Sequence, residues 1–254
     1  MAYIDRDGVK IFYEAEGSGP AVLLSHGYSA TAGMWKGQVA DMKDRYQLIS
    51  WDMRGHGQSD SPADQAQYSE DATVDDMAAI LKASGVEKAV IGGLSLGGYM
   101  SLAFYVKYPQ LTRALMLFDT GPGYRNPQAR EGWNQTAYRR AERLEEGGLA
   151  SLSGGDEVRQ SAHRSAEGLA KAARGMLAQF NSNVIECLDG IKVPTLVLVG
   201  ANDEAFLNAT DYMANKIPGA QKVVIADAGH AANMHQPAAF NKAMAGFLDS
   251  LPRD

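Results

Sequence analysis

Ala89-Val90-Ile91-Gly92-Gly93-Leu94-Ser95-Leu96-Gly97-Gly98-Tyr99-Met100-Ser101-Leu102-Ala103-Phe104-Tyr105 reads as a buried strand passing through one tight turn into an amphipathic helix. In a G-x-S-x-G turn the central serine is pushed into strained backbone geometry. The flanking glycines remove side chains that would collide. Strain of this kind is kept where it serves function. Here it would hold the Ser95 hydroxyl clear of the sheet, at the N-terminus of a helix whose amides favour negative charge. A glycine-rich structural turn can show the same pattern; the strand before it and the helix after it favour the functional reading.

Outward from this turn, strands and helices alternate. Asp7-Gly8 joins two short strands in a hairpin. Ala21 to Ser25 is a continuous apolar run ending at His26-Gly27, as expected of a strand buried on both faces. A helix is predicted over 34–44 and a strand over 46–51. A helix follows from Thr73, with acids in its first turn and Gly85 near its end. After strand 88–92 comes helix 97–108, stopped by Pro109, and then strand 113–118. Residues 120–190 break the alternation with an Ala/Glu/Arg-rich helical stretch. It resumes with strand 193–199, helix 206–216, strand 222–225 and helix 237–250. Such alternation predicts an α/β fold with a mostly parallel, doubly wound sheet. Residues 1–119 and 191–254 would form its core, and 120–190 an inserted helical cap.

Composition narrows the function. A chain of 254 residues can bury a substantial core as one unit. A net charge of −6 and a pI near 5.4 lack the basic footprint of nucleic-acid binding. The lone Cys187 excludes an internal disulfide and reads as a packing residue. Residues 1–7 lack the apolar core of a signal peptide, and no run reaches membrane-spanning length. A soluble, cytoplasmic protein is expected. Metal-ligand spacing and phosphate cradles are absent from the pattern, so neither a metal nor a cofactor is expected.

A serine hydroxyl needs a base to take its proton and an acid to orient that base. His230, in Ala228-Gly229-His230 after the last strand, stands at the sheet edge where ligands bind. Asp203, just after strand 193–199, is the candidate acid, and Asp119 after strand 113–118 competes with it. Asp227 is too close to His230 in sequence to orient the ring. The order Ser95, Asp203, His230 is the Ser…Asp…His order of hydrolase sheets.

Five motifs in sequence carry a resemblance. They are Ser25-His26-Gly27-Tyr28, Asp52-Met53-Arg54-Gly55-His56-Gly57-Gln58-Ser59, Gly93 to Gly97, Gly200 to Asp203 and Gly229-His230. With them the chain resembles α/β-hydrolase fold proteins over essentially its whole length, and among these the serine esterases and lactonases with a helical cap. The resemblance implies an oxyanion hole made by the backbone N–H groups of Tyr28 and Leu96. It gives His26 and His56 scaffold roles. Relatives often carry an acid about five residues after the catalytic histidine, where this chain has His235. An elbow serine, rather than aspartate, argues against epoxide opening and dehalogenation.

Residues 120–190 hold nine Lys+Arg and nine Asp+Glu, giving no case for a polyanionic substrate. Tyr124, Trp133 and Tyr138 are candidate substrate-binding residues, with core packing as the competing reading. Arg125 reads as exposed, and Met34-Trp35 as core. The expected function is hydrolysis of small to medium carboxylic esters through an acyl-enzyme. Lactonase, perhydrolase, thioesterase and C–C bond hydrolase chemistry share the same residues. A ligand sensor that keeps the triad but turns over slowly is the alternative of another class. The expected partner is a small-molecule ester or lactone.

Overall fold

The computed structural model describes residues 2–252. Among them eight strands form one sheet: β1 (Ala2–Arg6), β2 (Val9–Glu16), β3 (Ala21–Ser25), β4 (Gln47–Trp51), β5 (Ala89–Leu94), β6 (Thr112–Phe118), β7 (Thr195–Gly200) and β8 (Gln221–Ile225). Their spatial order is β1-β2-β4-β3-β5-β6-β7-β8. The hairpin β1–β2 is antiparallel and β2 runs antiparallel to β4; every later pairing is parallel. This is the mostly parallel α/β sheet that the alternation predicts.

The central strands are largely apolar because both faces are covered. On β3, Leu23 points to one core with Ile49, Ile91, Leu115 and Val197. Its neighbours Val22 and Leu24 point to the other, with Leu48, Val90, Met116 and Leu198. Each such side chain contributes about 1.5–3 kcal/mol on burial, so the period-two alternation fixes the register.

The helices are α1 (Lys36–Met42), α2 (Glu70–Ala83), α3 (Leu96–Lys107), α4 (Pro127–Gly147), α5 (Asp156–Arg159), α6 (Ala166–Ala172), α7 (Asn183–Glu186), α8 (Glu204–Lys216), α9 (Ala232–His235) and α10 (Pro237–Ser250). Helix α2 begins three residues before the predicted Thr73. Ser69 caps it by accepting from the Ala72 N–H, which leaves Glu70 and Asp71 in the first turn. Between β6 and β7 the chain forms no strand, only α4 to α7 with short connecting turns. No helix is long and apolar enough to cross a membrane among the described residues.

Strand order reverses at β3, whose neighbours are β4 and β5. Such a switch point opens a crevice beyond the carboxyl ends of the strands. Ser25 at the end of β3 pairs with Gly93 of β5. The His26-Gly27-Tyr28 loop and the Ser95 turn therefore lie side by side.

Candidate active site

Ser95 occupies the turn between β5 and α3 with φ 55° and ψ −116°, a left-handed conformation that costs a non-glycine residue about 1–3 kcal/mol. Its N–H donates to the Phe118 carbonyl at 2.9 Å, so the turn is pinned to the end of β6. Close approach explains Gly97. A Cβ there would stand 2.2 Å from the Ser25 carbonyl oxygen and 2.7 Å from that of His26. Gly97→Ala is therefore expected to push α3 off β3 and cost about 1–3 kcal/mol or more. Urea unfolding checks this, and a stability equal to wild type would contradict it.

The loop after β3 is held by buried polar contacts. His26 Nε2 accepts the Met53 N–H at 3.0 Å, so its Nδ1–H donates to the Gly27 carbonyl at 2.7 Å. That carbonyl also accepts the Ala30 N–H at 3.1 Å, while the Tyr28 N–H has no partner. Gly27 O and Tyr28 N belong to one planar trans peptide, so anchoring the oxygen turns the N–H away from His26. The same peptide lies against Ser95, since a Cβ on Gly27 would stand 3.4 Å from Ser95 Cβ. At the start of α3 the Leu96 N–H belongs to the first turn, whose donors have no intrahelical acceptor.

The buried His26 and His56 and the half-buried His163 form a cluster, with ring centroids 4.9 and 5.8 Å apart. Burial pushes His26 down to about 4, outweighing the Asp52 carboxylate, and holds His56 and His163 below their ordinary value. All three are neutral near pH 7. His163 comes from the segment between β6 and β7. Its Nδ1 accepts the Gly57 N–H at 3.0 Å and its Nε2–H donates to the Ser29 carbonyl at 2.9 Å. Arg54 forms a buried two-pronged pair with Asp76 at 2.7 and 2.9 Å, fixing this loop to α2.

Asp203 and His230 meet across the ends of β7 and β8. His230 Nδ1–H donates to Asp203 Oδ2 at 2.8 Å, which leaves Nε2 with a free lone pair. Phe206, one turn into α8, stacks on the His230 ring with centroids 5.1 Å apart and planes at 22°. His235 Nδ1 accepts the Gly229 N–H at 2.9 Å and so holds the loop that carries His230. Ser95 Oγ makes no hydrogen bond in this structure. Catalytic contacts often tighten only when substrate binds.

Asp119, the competing acid, makes no hydrogen bond to His230, whose Nδ1 is bonded to Asp203. Asp119 Oδ1 accepts the Gly200 N–H at 2.8 Å and its Oδ2 is buried without a partner. Burial, reinforced by the nearby Asp203 charge, pushes its carboxyl up to about 8. Near neutral pH it is the protonated member of the pair. Asp227 is exposed and takes no part.

A cavity of about 570 Å³, including its open mouth, is lined by Ser95 and Leu96, by Phe206 of α8, and by Tyr124, Trp133 and Gln179 from the segment between β6 and β7. Its wall carries no charged side chain. Of the three aromatics singled out above, Tyr138 is not on this wall. It lies five residues beyond Trp133 and so on another face of α4, with the Arg174 guanidinium 6.0 Å over its ring. Arg125 is exposed, and Cys187 is half-buried with its thiol pushed up to about 11 by burial. Sequence reading missed Phe206 and Gln179. A phenylalanine one turn after the acid was the only signal for the first, and no motif surrounds the second.

Fold and site together define a doubly wound α/β enzyme with its serine at a strand-to-helix elbow. The alpha/beta hydrolase fold family model matches residues 20–154, and the chain belongs to that family. It is a hydrolase of that superfamily. It is 29% identical over 273 aligned residues to 3-oxoadipate enol-lactonase 1 of Acinetobacter baylyi, covering 97% of this chain and 96% of that one. A malate-bound thermophilic esterase from Thermogutta terrifontis superposes with a TM-score of 0.84 at 31% identity, covering 99% of both chains. The enol-lactonase of Burkholderia xenovorans LB400 shares the fold, with a TM-score of 0.78 at 24% identity over 98% of this chain and all of that one.

Proposed function

We propose that the protein hydrolyses carboxylic esters and lactones with neutral acyl groups through an acyl-enzyme on Ser95. One observation carries this reading: the bonded Asp203–His230 pair and Ser95 stand at one sheet edge, and Ser95 lies in the wall of a cavity without charge beside Phe206, the ring that stacks on His230. His230 Nε2 takes the Ser95 proton as Oγ attacks the ester carbonyl, and Asp203 holds the ring in the tautomer that leaves Nε2 free. The tetrahedral oxyanion is received by the Tyr28 and Leu96 N–H groups, each worth on the order of 10²–10³ in rate. His230 then protonates the leaving alcohol. A water, deprotonated in turn by His230, releases the acid. The similarity to an esterase and to enol-lactonases supports both ester and lactone as substrates.

The cavity wall argues against a charged acyl group. An unpaired carboxylate held there would lose its hydration with no cation to compensate. Residues 120–190 act in this reading as the cap that closes the acyl site. Trp133→Ala is accordingly expected to move the preferred acyl length upward in a 4-nitrophenyl ester series from acetate to octanoate. A methylene in an apolar pocket is worth about 1–3 kcal/mol, so kcat/KM ratios between long and short esters should change at least several-fold. An equal loss for every ester would make Trp133 a packing residue only. The general test is the same series against wild type and Ser95→Ala, with hydrolysis in the first and its near-complete loss in the second.

A further inference from the structure

Gln179 lies in the cavity wall 7% exposed, and its carboxamide makes no hydrogen bond to the protein. Its main chain, by contrast, is tightly held. Asn134 Oδ1 accepts the Gln179 N–H at 2.7 Å and Asn134 Nδ2–H donates to the Gln179 carbonyl at 2.8 Å. Two residues earlier, the Leu177 carbonyl accepts Trp133 Nε1–H at 2.8 Å. A fixed platform thus presents a polar group whose own capacity is unmet, which is rare for a buried amide.

The other polar groups around the cavity are differently placed. Thr120 Oγ1–H donates to the Ser95 carbonyl and Tyr99 O–H to Glu70. Tyr124 is exposed. Gln179 Oε1 is tucked against the bend at Gly123, where a Cβ would stand only 2.7 Å away. Glycine at that position makes room for the amide. The terminal torsion of a glutamine is soft and roughly two-fold, so a half-turn about it exchanges the buried oxygen with Nε2, which is not among the buried atoms.

Resting on the ester-hydrolase reading, we propose that Gln179 is a specificity-determining residue that selects esters and lactones carrying a neutral secondary amide. The chemistry of the unmet atoms sets this class. Oε1 requires a donor, and neither an alkyl chain nor an ester oxygen is one. A secondary amide supplies an N–H for Oε1 and a carbonyl for the Nε2–H groups. The charge-free wall excludes an ammonium donor on the same grounds as a carboxylate.

The test compares wild type with Gln179→Met, which keeps side-chain length and leaves the Asn134 clamp on the main chain untouched. Pairs of 4-nitrophenyl esters of equal acyl length, one all-carbon and one with a secondary amide at successive chain positions, give ratios of kcat/KM. At the best amide position the ratio of amide to all-carbon ester is expected to fall about tenfold or more in Gln179→Met. In parallel, Ser95→Ala with and without Gln179→Met is titrated with N-hexylbutanamide, read by tryptophan fluorescence. About tenfold weaker binding is expected without the glutamine. A ratio unchanged within twofold at every position, or equal amide binding by the two proteins, overturns the proposal. If wild type cleaved no ester at all, the hydrolase reading would fall, and the amide titration would still decide the role of Gln179.

Discussion

Ser95→Ala is expected to lower kcat/KM for a short 4-nitrophenyl ester by about 10⁵–10⁶-fold, the size of effect seen when a serine nucleophile is removed. The fold should survive. The Ser95 hydroxyl makes no hydrogen bond, so its removal leaves no buried partner unsatisfied, and unfolding midpoints of variant and wild type should nearly coincide. His230→Ala should be comparably damaging, and the double variant little worse than either single one, because the residues act as a unit. A phosphonate probe should add one label to wild type, mapped to Ser95. Retention of more than a tenth of the wild-type rate by Ser95→Ala would place the nucleophile elsewhere.

The second large effect separates two neighbouring carboxyls. Asp203→Asn is expected to cost about 10³–10⁴ in kcat, since an amide cannot hold the His230 ring in its working tautomer. Asp119→Asn should change kcat less than about tenfold, because an amide closely mimics a carboxyl that is already protonated. Its signature lies in stability against pH. The folded Asp119 value is raised, to about 8, so its contribution is complete below the ordinary carboxylate value near 4. That contribution is lost as pH rises through 8. The asparagine does not titrate. Wild type should therefore lose stability relative to Asp119→Asn between pH 4 and 8, by about 1.4 kcal/mol for each unit inside that window. Chemical unfolding at pH 5 and 7.5 measures it. A difference independent of pH would mean that Asp119 is ionised, and a crippled Asp119→Asn beside an active Asp203→Asn would reverse the two roles.

The sheet was legible because parallel strands buried on both faces leave short apolar runs, such as Ala21 to Ser25 and Thr195 to Gly200, between helical patterns. The Ser95 turn was legible for a related reason: only glycine tolerates the approach of α3 to β3, so its geometry is written into residue types. Asp203 and His230 could be named from their places after β7 and β8. What escaped depends on tertiary neighbours. The early start of α2 turned on one Ser69 hydroxyl. The protonated state of Asp119 comes from burial beside a second carboxyl 84 positions away in sequence. Tyr138 and Trp133 look alike in sequence, and their different faces on α4 decide which one meets the cavity. Gln179 has no motif at all. Its position follows from an Asn134 clamp across 45 residues.

The contacts of residues 161–169 bear on how such proteins can be recombined. His163 binds both Ser29 and Gly57, and the Leu169 carbonyl accepts the Tyr28 hydroxyl at 2.9 Å. The segment between β6 and β7 thus holds the loop that carries Tyr28, and His26 holds the same loop through the Gly27 carbonyl. A chimaera that grafts another relative's helices between β6 and β7 would bring a new cavity wall but lose one of the supports of the loop that carries Tyr28. On the proposed reading, specificity and turnover would therefore not be separable cassettes in this chain. A successful graft has to carry the histidine and the Leu169 carbonyl across with the pocket.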